Sequence, residues 1–157
     1  MRRFSMEPDV KLVAVATMLS LEVRVSEALS IPITSDPDIV TARVEGRNLA
    51  RKMGFGVVDQ ARISTAISEL ASNVVLHVGA GTIMLRPIAS PRQRGLEIVC
   101  TDHGQGIADV NLVMQEGHAN HHGLRMGLSG ARRLMDEFEI CSQPGQGTVV
   151  TARKWLR

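Results

Sequence analysis

The 157 residues are enough for one domain with its own hydrophobic core, and 44% hydrophobic against 22% charged residues excludes a disordered chain. A formal net charge of +2, with three Phe, one Trp and no Tyr, excludes a basic, aromatic-lined nucleic-acid surface. The two cysteines, Cys100 and Cys141, have no CxxC spacing and lie in strand-like runs, so both read as reduced core residues of a cytoplasmic protein, with no base beside either for thiol chemistry.

Residues 1–29 stand apart as an N-terminal extension. The run Leu12–Leu21 has the length of a secretory h-region and is too short to span a membrane. Glu7 and Asp9 precede it and no small-x-small cleavage site follows promptly, so a segment packed on the domain or lying upstream of it is expected. Met6 and Met18 are alternative starts. Residues 30–157 form the expected domain.

"SIPI" (30–33) reads as a short strand. In "TSDPDIVTARVEGRNLARKMG" (34–54), Ser35 or Asp36 can cap a helix, Pro37 suits its first turn and Gly54 ends it. Ile39, Ala42, Val44, Leu49 and Met53 supply its apolar stripe. A second helix is expected over about 57–78, with the stripe Ile63, Ala66, Ile67, Leu70 and Val74. It also carries Glu69, Asn73 and His77, spaced four apart and therefore on one ridge. An Asn side chain can give its oxygen to Mg2+, and a carboxylate one turn earlier can take a proton from an attacking hydroxyl or water. The plainer reading is a solvated helix face, and His77 fits a helix end, where His+ meets the negative pole.

"AGTIMLRPIA" (80–89) and "RGLEIVCTD" (94–102) read as two strands joined by a turn at 90–92, with 96–100 central in the sheet. "DHGQGI" then closes the second strand. The Asp102 carboxylate accepts from an amino group and offers a carbonyl nothing, so it would choose adenine over guanine. Gly104 and Gly106 would let backbone approach a flat ligand. Asp-x-Gly also marks ordinary turns. A Gly- and His-rich stretch (103–127) follows, and "GLRMGLSGARRLMDEFEI" leads through Gly123, Gly127 and Gly130 into a helix over about 128–138. Such a segment offers unpaired N–H groups to phosphates, though it has no P-loop lysine, and a surface loop is the alternative. His118, His121 and His122 read as solvated, because no fourth ligand sits at zinc spacing. "FEICS" and "TVVTARKWL" are the last strands, around the turn "QPGQG". Helices cluster rather than alternate with strands. This predicts an α+β two-layer sandwich, a mostly antiparallel mixed sheet with helices on one face.

In this order, the ridge, "DHGQGI" and the glycine-led helix resemble the N, G1 and G2 boxes of the GHKL ATP-binding superfamily, which includes gyrase B and the histidine kinases, and thus imply the Bergerat fold. "GQGT" (145–148) resembles its last nucleotide contact, placing Thr148 near adenine. "SDPDIVTARVEGRNLARKMGF", "DQARISTAISELASN", "GLSGARRLMDEF" and "KWLR" look like the small bacterial anti-sigma-type serine kinases, most of all the RsbT-type switch kinases of the stressosome. The resemblance implies ATP and Mg2+ as cofactors, Glu69 as catalytic base and Asn73 as Mg2+ ligand. It implies Asp102 at the adenine amino group, Gly104 and Gly106 at the adenine pocket and lid hinge, Gly127 and Leu128 along the phosphates, and Ile107, Gly123, Arg125 and Thr148 among the nucleotide-binding residues. Arg125 stands where the family carries its middle lid glycine and Ser129 where it carries proline. Arg125 would contact phosphate, or stiffen the lid and slow turnover.

The activity implied is phosphorylation of a serine or threonine on a STAS-domain antagonist, and the implied partners are that protein, a PP2C-type phosphatase that the kinase activates, and a sigma factor. Two alternatives stand beside it: an anti-sigma factor acting by sequestration, and a nucleotide-gated binding module degraded at Arg125. Neither nucleic acid nor membrane is an expected partner.

Overall fold

The computed structural model describes residues 28–115 and 127–157. Strand β1 (Leu29–Ile33) enters helix α1 (Asp36–Met53), and α2 (Val57–His77) follows. Strands β2 (Gly81–Ala89) and β3 (Arg94–Asp102) form a hairpin. A one-turn helix α3 (Val110–Val113), not foreseen in the Gly-rich stretch, precedes α4 (Gly127–Leu134). Strands β4 (Glu137–Ser142) and β5 (Thr148–Trp155) close the chain.

Local chemistry explains the boundaries. Ser35 is the N-cap of α1, and the Asp38 carboxylate reaches back to accept from the Thr34 and Ser35 N–H groups at 2.9 and 3.1 Å. Gly54 ends α1 in the left-handed region, φ 95°, where L side chains are strained. In the β2–β3 turn, the Ser90 hydroxyl oxygen accepts from the Arg92 and Gln93 N–H groups.

The sheet order is β1-β2-β3-β5-β4, and every ladder among the described strands is antiparallel. The sheet is therefore not mixed, as expected above; hairpins and long returns, rather than βαβ crossovers, join its strands. β3 is central, and its Leu96, Ile98 and Cys100 are buried beneath the helices. The second-helix stripe is buried throughout, from Ile63 to Val74. Against it packs α1, through Ala42, Gly46 and Ala50. A Cβ on Gly46 would lie 2.1 Å from Ile67 Cδ1, so the glycine leaves the space that the end of the Ile67 side chain fills between the two helices. Val44, assigned above to the α1 stripe, is instead 46% exposed, since Gly46 and not a large side chain faces α2.

On the other face of the sheet a row of alternating charge crosses four strands. Arg86 and Arg153 both pair with Glu97, which is only 2% exposed, and Arg153 continues to Glu137 at 2.8 Å. The flanking guanidiniums compensate the buried carboxylate.

Two further expectations change. The last helix ends at Leu134 rather than near Phe138, because the Asp136 N–H donates to Arg153 O and the chain joins the sheet edge as β4. Cys141 is exposed on that edge strand and is no core residue, whereas Cys100 is buried. Among the described residues no helix is long and apolar enough to cross a membrane.

Candidate functional site

Strand parity builds the site. Asp102 continues the inward register of Ile98 and Cys100, and it lies directly opposite Thr148, which shares the inward register of Val150 and Ala152. The two residues therefore end β3 and β5 side by side under the helical layer. Thr148 is almost fully buried and shares a hydrogen bond with the Ser142 hydroxyl at 2.8 Å. Asp102 Oδ1 accepts from the Gly104 N–H at 2.9 Å, which folds the strand end back on itself. The nearby carboxylate also acts on the buried Cys100 thiol: burial first, and then the Asp102 charge, push its pKa up to about 12.

The glycines here serve close packing of the chain on itself. A Cβ on Gly104 would come within 2.9 Å of both Val78 methyls at the end of α2. Gly106, at φ 76°, leaves room for Gln143 O, which would be 2.1 Å from a Cβ. Gly147, at φ 80°, meets Asp102 O in the same way. The expected close approach to a flat ligand is thus joined by a nearer reason: segment 102–107 is pressed against both the β4–β5 turn and α2. Ser142 stitches them together. Its hydroxyl oxygen accepts from the Ile107 N–H at 2.7 Å, and it lies 3.1 Å from Gly147 O. Gly145 N–H adds a bond to Gln105 O at 2.7 Å. No local pattern marked Ser142, a serine at the end of an edge strand.

The α2 ridge supplies the second half of the site. Glu69 and Asn73 are half-buried, while His77 is exposed in the last turn, as a helix-end residue should be. Glu69 Oε2 accepts from the Gly127 N–H at 3.0 Å. Gly127 is the first residue of α4 and has φ 63°, a left-handed conformation suited to glycine. The carboxylate thus meets the positive end of a helix, and a phosphate would be drawn to the same pole. Leu128 faces the other way and packs against the core, so only its backbone is available to an anion.

The structure therefore brings Glu69 to Gly127, and Asp102, Gly104, Gly106 and Ile107 to the turn that carries Thr148. Asn73 sits one turn beyond Glu69, toward the Val78–Gly104 contact. Gly123 and Arg125, with His118, His121 and His122, lie outside the described residues. Among the described residues no three His, Cys, Asp or Glu side chains converge on a metal position. An Asn73 oxygen completed by phosphate oxygens and water is the donor set Mg2+ accepts, and needs no such cluster.

Comparison with known proteins identifies the family and the fold. The model of the histidine kinase-, DNA gyrase B- and HSP90-like ATPase family matches residues 58–157. The chain is 50% identical over 127 residues to the serine/threonine-protein kinase RsbT of Bacillus subtilis, covering 81% of this chain and 96% of that protein. It is 32% identical over 121 residues to an anti-sigma F factor of Caldanaerobacter subterraneus, covering 73% of this chain and 83% of the relative. The crystal structure of the RsbU and RsbW domains of a Mycobacterium tuberculosis protein matches at a TM-score of 0.58 and 22% identity. That match covers 83% of this chain but only 33% of the longer one, and it speaks for the fold alone.

Proposed function

Because the chain belongs to the histidine kinase-, DNA gyrase B- and HSP90-like ATPase family, we propose that it is an ATP-dependent protein serine/threonine kinase of a partner-switching pathway. Its substrate in this reading is a STAS-domain antagonist protein, and once released it activates a PP2C-type phosphatase. The observation that carries the reading is the 3.0 Å contact between Glu69 and the first N–H of α4. It puts a candidate base against the helix end best suited to phosphate.

Bound Mg-ATP supplies the phosphoryl group. The Asp102 carboxylate accepts from the adenine amino group, Thr148 lines the same end, and the start of α4 faces the phosphates. Asn73 gives its amide oxygen to Mg2+. With Oε2 held by Gly127, Glu69 keeps Oε1 to take the proton of the acceptor hydroxyl. The hydroxyl oxygen bonds the γ-phosphorus as the bond to ADP breaks, so the products are phosphoprotein, ADP and a proton first held on Glu69.

The test is transfer from Mg-ATP to a STAS-domain protein by the purified chain. Asn73→Ala is expected to reduce transfer to background, and transfer persisting in that variant would sink the Mg2+ assignment. The similarity to an anti-sigma F factor supports a second reading, sequestration of a sigma factor. A sigma factor that co-purifies with the chain, and still does so with Glu69→Ala, would favour it.

A further inference from the structure

One buried cation has no role in this chemistry. Lys154 lies on the inward face of β5, 6% exposed, in line with the buried Val150 and Ala152. Lysine is rarely buried unless paired, and this one has three partners. Its ammonium donates to Leu134 O at 3.0 Å, contacts Asp136 Oδ1 at 3.3 Å, and lies 3.7 Å from Asp59 Oδ1. Leu134 is the last residue of α4, and Asp59 is in the first turn of α2.

The placement is specific. Helix α4 presses small residues, Gly127, Gly130 and Ala131, against its surroundings, and its packing partner is α2. Small residues allow close approach, and of the large side chains of α4 only Leu128 and Leu134, near its two ends, pack against the core, so the middle of the helix carries no large knob to hold it at a fixed height along α2. Polar contacts at the two ends of α4, roughly 12 Å apart by helical rise, provide that lock. At the N-terminus the Glu69 carboxylate takes the Gly127 N–H, and at the C-terminus the Lys154 ammonium takes the Leu134 carbonyl. Each charge matches the pole it meets. Both are tied to α2, through Glu69 itself and through Asp59.

We propose that Lys154 is a positioning residue for nucleotide: by fixing the height of α4 along α2, it sets where the Gly127 N–H stands relative to Glu69 and Asn73. The inference rests on the nucleotide-binding reading above and deepens it. Lys154 touches no ligand. Its effect is expected at the phosphate end, since Lys154 acts on α4 from the far end of β5, six residues from Thr148, and α4 forms no part of the adenine end.

The experiment compares dissociation constants of a non-hydrolysable ATP analogue and of adenosine for the full chain and its Lys154→Met, Lys154→Arg and Asp59→Asn variants. Lys154→Met is expected to weaken the ATP analogue by about tenfold or more while adenosine binds as before, because sub-ångström misplacement is costly where charges meet. Lys154→Arg should restore most of the loss, and Asp59→Asn should show a smaller shift of the same kind. Without nucleotide, hydrogen exchange at the Gly127 amide should speed up in Lys154→Met. Equal weakening of both ligands, or unchanged ATP binding, overturns the inference, as does unchanged Gly127 exchange. Asp59→Asn, which leaves Lys154 two partners, answers the same question if Lys154→Met does not fold. A wild-type chain that gains nothing from phosphates over adenosine overturns the nucleotide reading itself, and this inference with it.

Discussion

Gly127 combines two demands in one residue: its N–H donates to Glu69, and its φ of 63° places that N–H where it is. A Cβ there would cost about 1 kcal/mol or more of backbone strain. Gly127→Ala is therefore expected to lower the melting temperature by a few degrees and to weaken ATP more than adenosine, both readable by thermal shift and titration. The cysteines divide in the same residue-by-residue way. The Cys100 thiol, its pKa pushed up to about 12 by burial and then by Asp102, stays protonated and unreactive in the fold. Cys141 is exposed. A thiol reagent at mild alkaline pH should label Cys141 alone in the native protein and both cysteines after denaturation. Single residues were unevenly legible. The four-residue spacing of Glu69 and Asn73 was enough to put them on one ridge, but only the fold brings Gly127 to Glu69, 58 positions away. Cys141 lies in a strand-like run yet is exposed, because an edge strand buries little on either side. Lys154 had a readable signal: it shares parity with Val150 and Ala152, so a strand there had to bury a charge.

Among the elements, the junction of α4, β4 and β5 is held by carboxylates. Burial pushes the Asp136 pKa up, but the Trp155 N–H at 2.8 Å and the Lys154 ammonium outweigh it, leaving the carboxyl below its ordinary 3.8. Glu137 is held below 4.5, chiefly by its hydrogen bond with Arg153 and then by that with the Trp155 indole N–H. Asp38, at the start of α1, is lowered mainly by the Thr34 N–H. A carboxyl with a lowered pKa in the fold takes up its proton first in the unfolded chain, so its stabilisation is complete above the ordinary values and lost as pH falls through the folded ones. The melting temperature should thus stay level down to roughly pH 5 and decline below roughly pH 4. Trp155 is the only tryptophan and donates to Glu137 Oε1, so its fluorescence reports this junction directly. A stability that rises on acidification through that range would contradict the assignment. The same junction explains why α4 ends before the sequence suggests: helical periodicity runs on past Leu134, and only pairing with β5 pulls the chain away. The starts of α1 and the bounds of β2 and β3 were legible, because Ser35, Gly54 and the Ser90 turn carry their own local signals.

At the scale of the whole molecule, the clustering of helices apart from strands was enough to indicate one sheet with one helical layer. The fully antiparallel pairing and the strand order were not, since they depend on contacts far apart in sequence. That layer makes the site. β3 and β5 end together with Asp102 and Thr148, α2 crosses above them with Asn73 and Glu69, and α4 ends its positive pole on Glu69. We propose that this meeting point transfers a phosphoryl group with Glu69 as the base. Glu69→Gln keeps an oxygen to accept from Gly127 but gives no carboxylate for the proton, so it separates the base from the packing. The measurement is single-turnover transfer from Mg-ATP to a STAS-domain protein, with ATP binding measured on the same samples. With Glu69 as the base, Glu69→Gln should keep near-normal ATP affinity while transfer slows by about a hundredfold or more. Transfer at the wild-type rate by Glu69→Gln would contradict it.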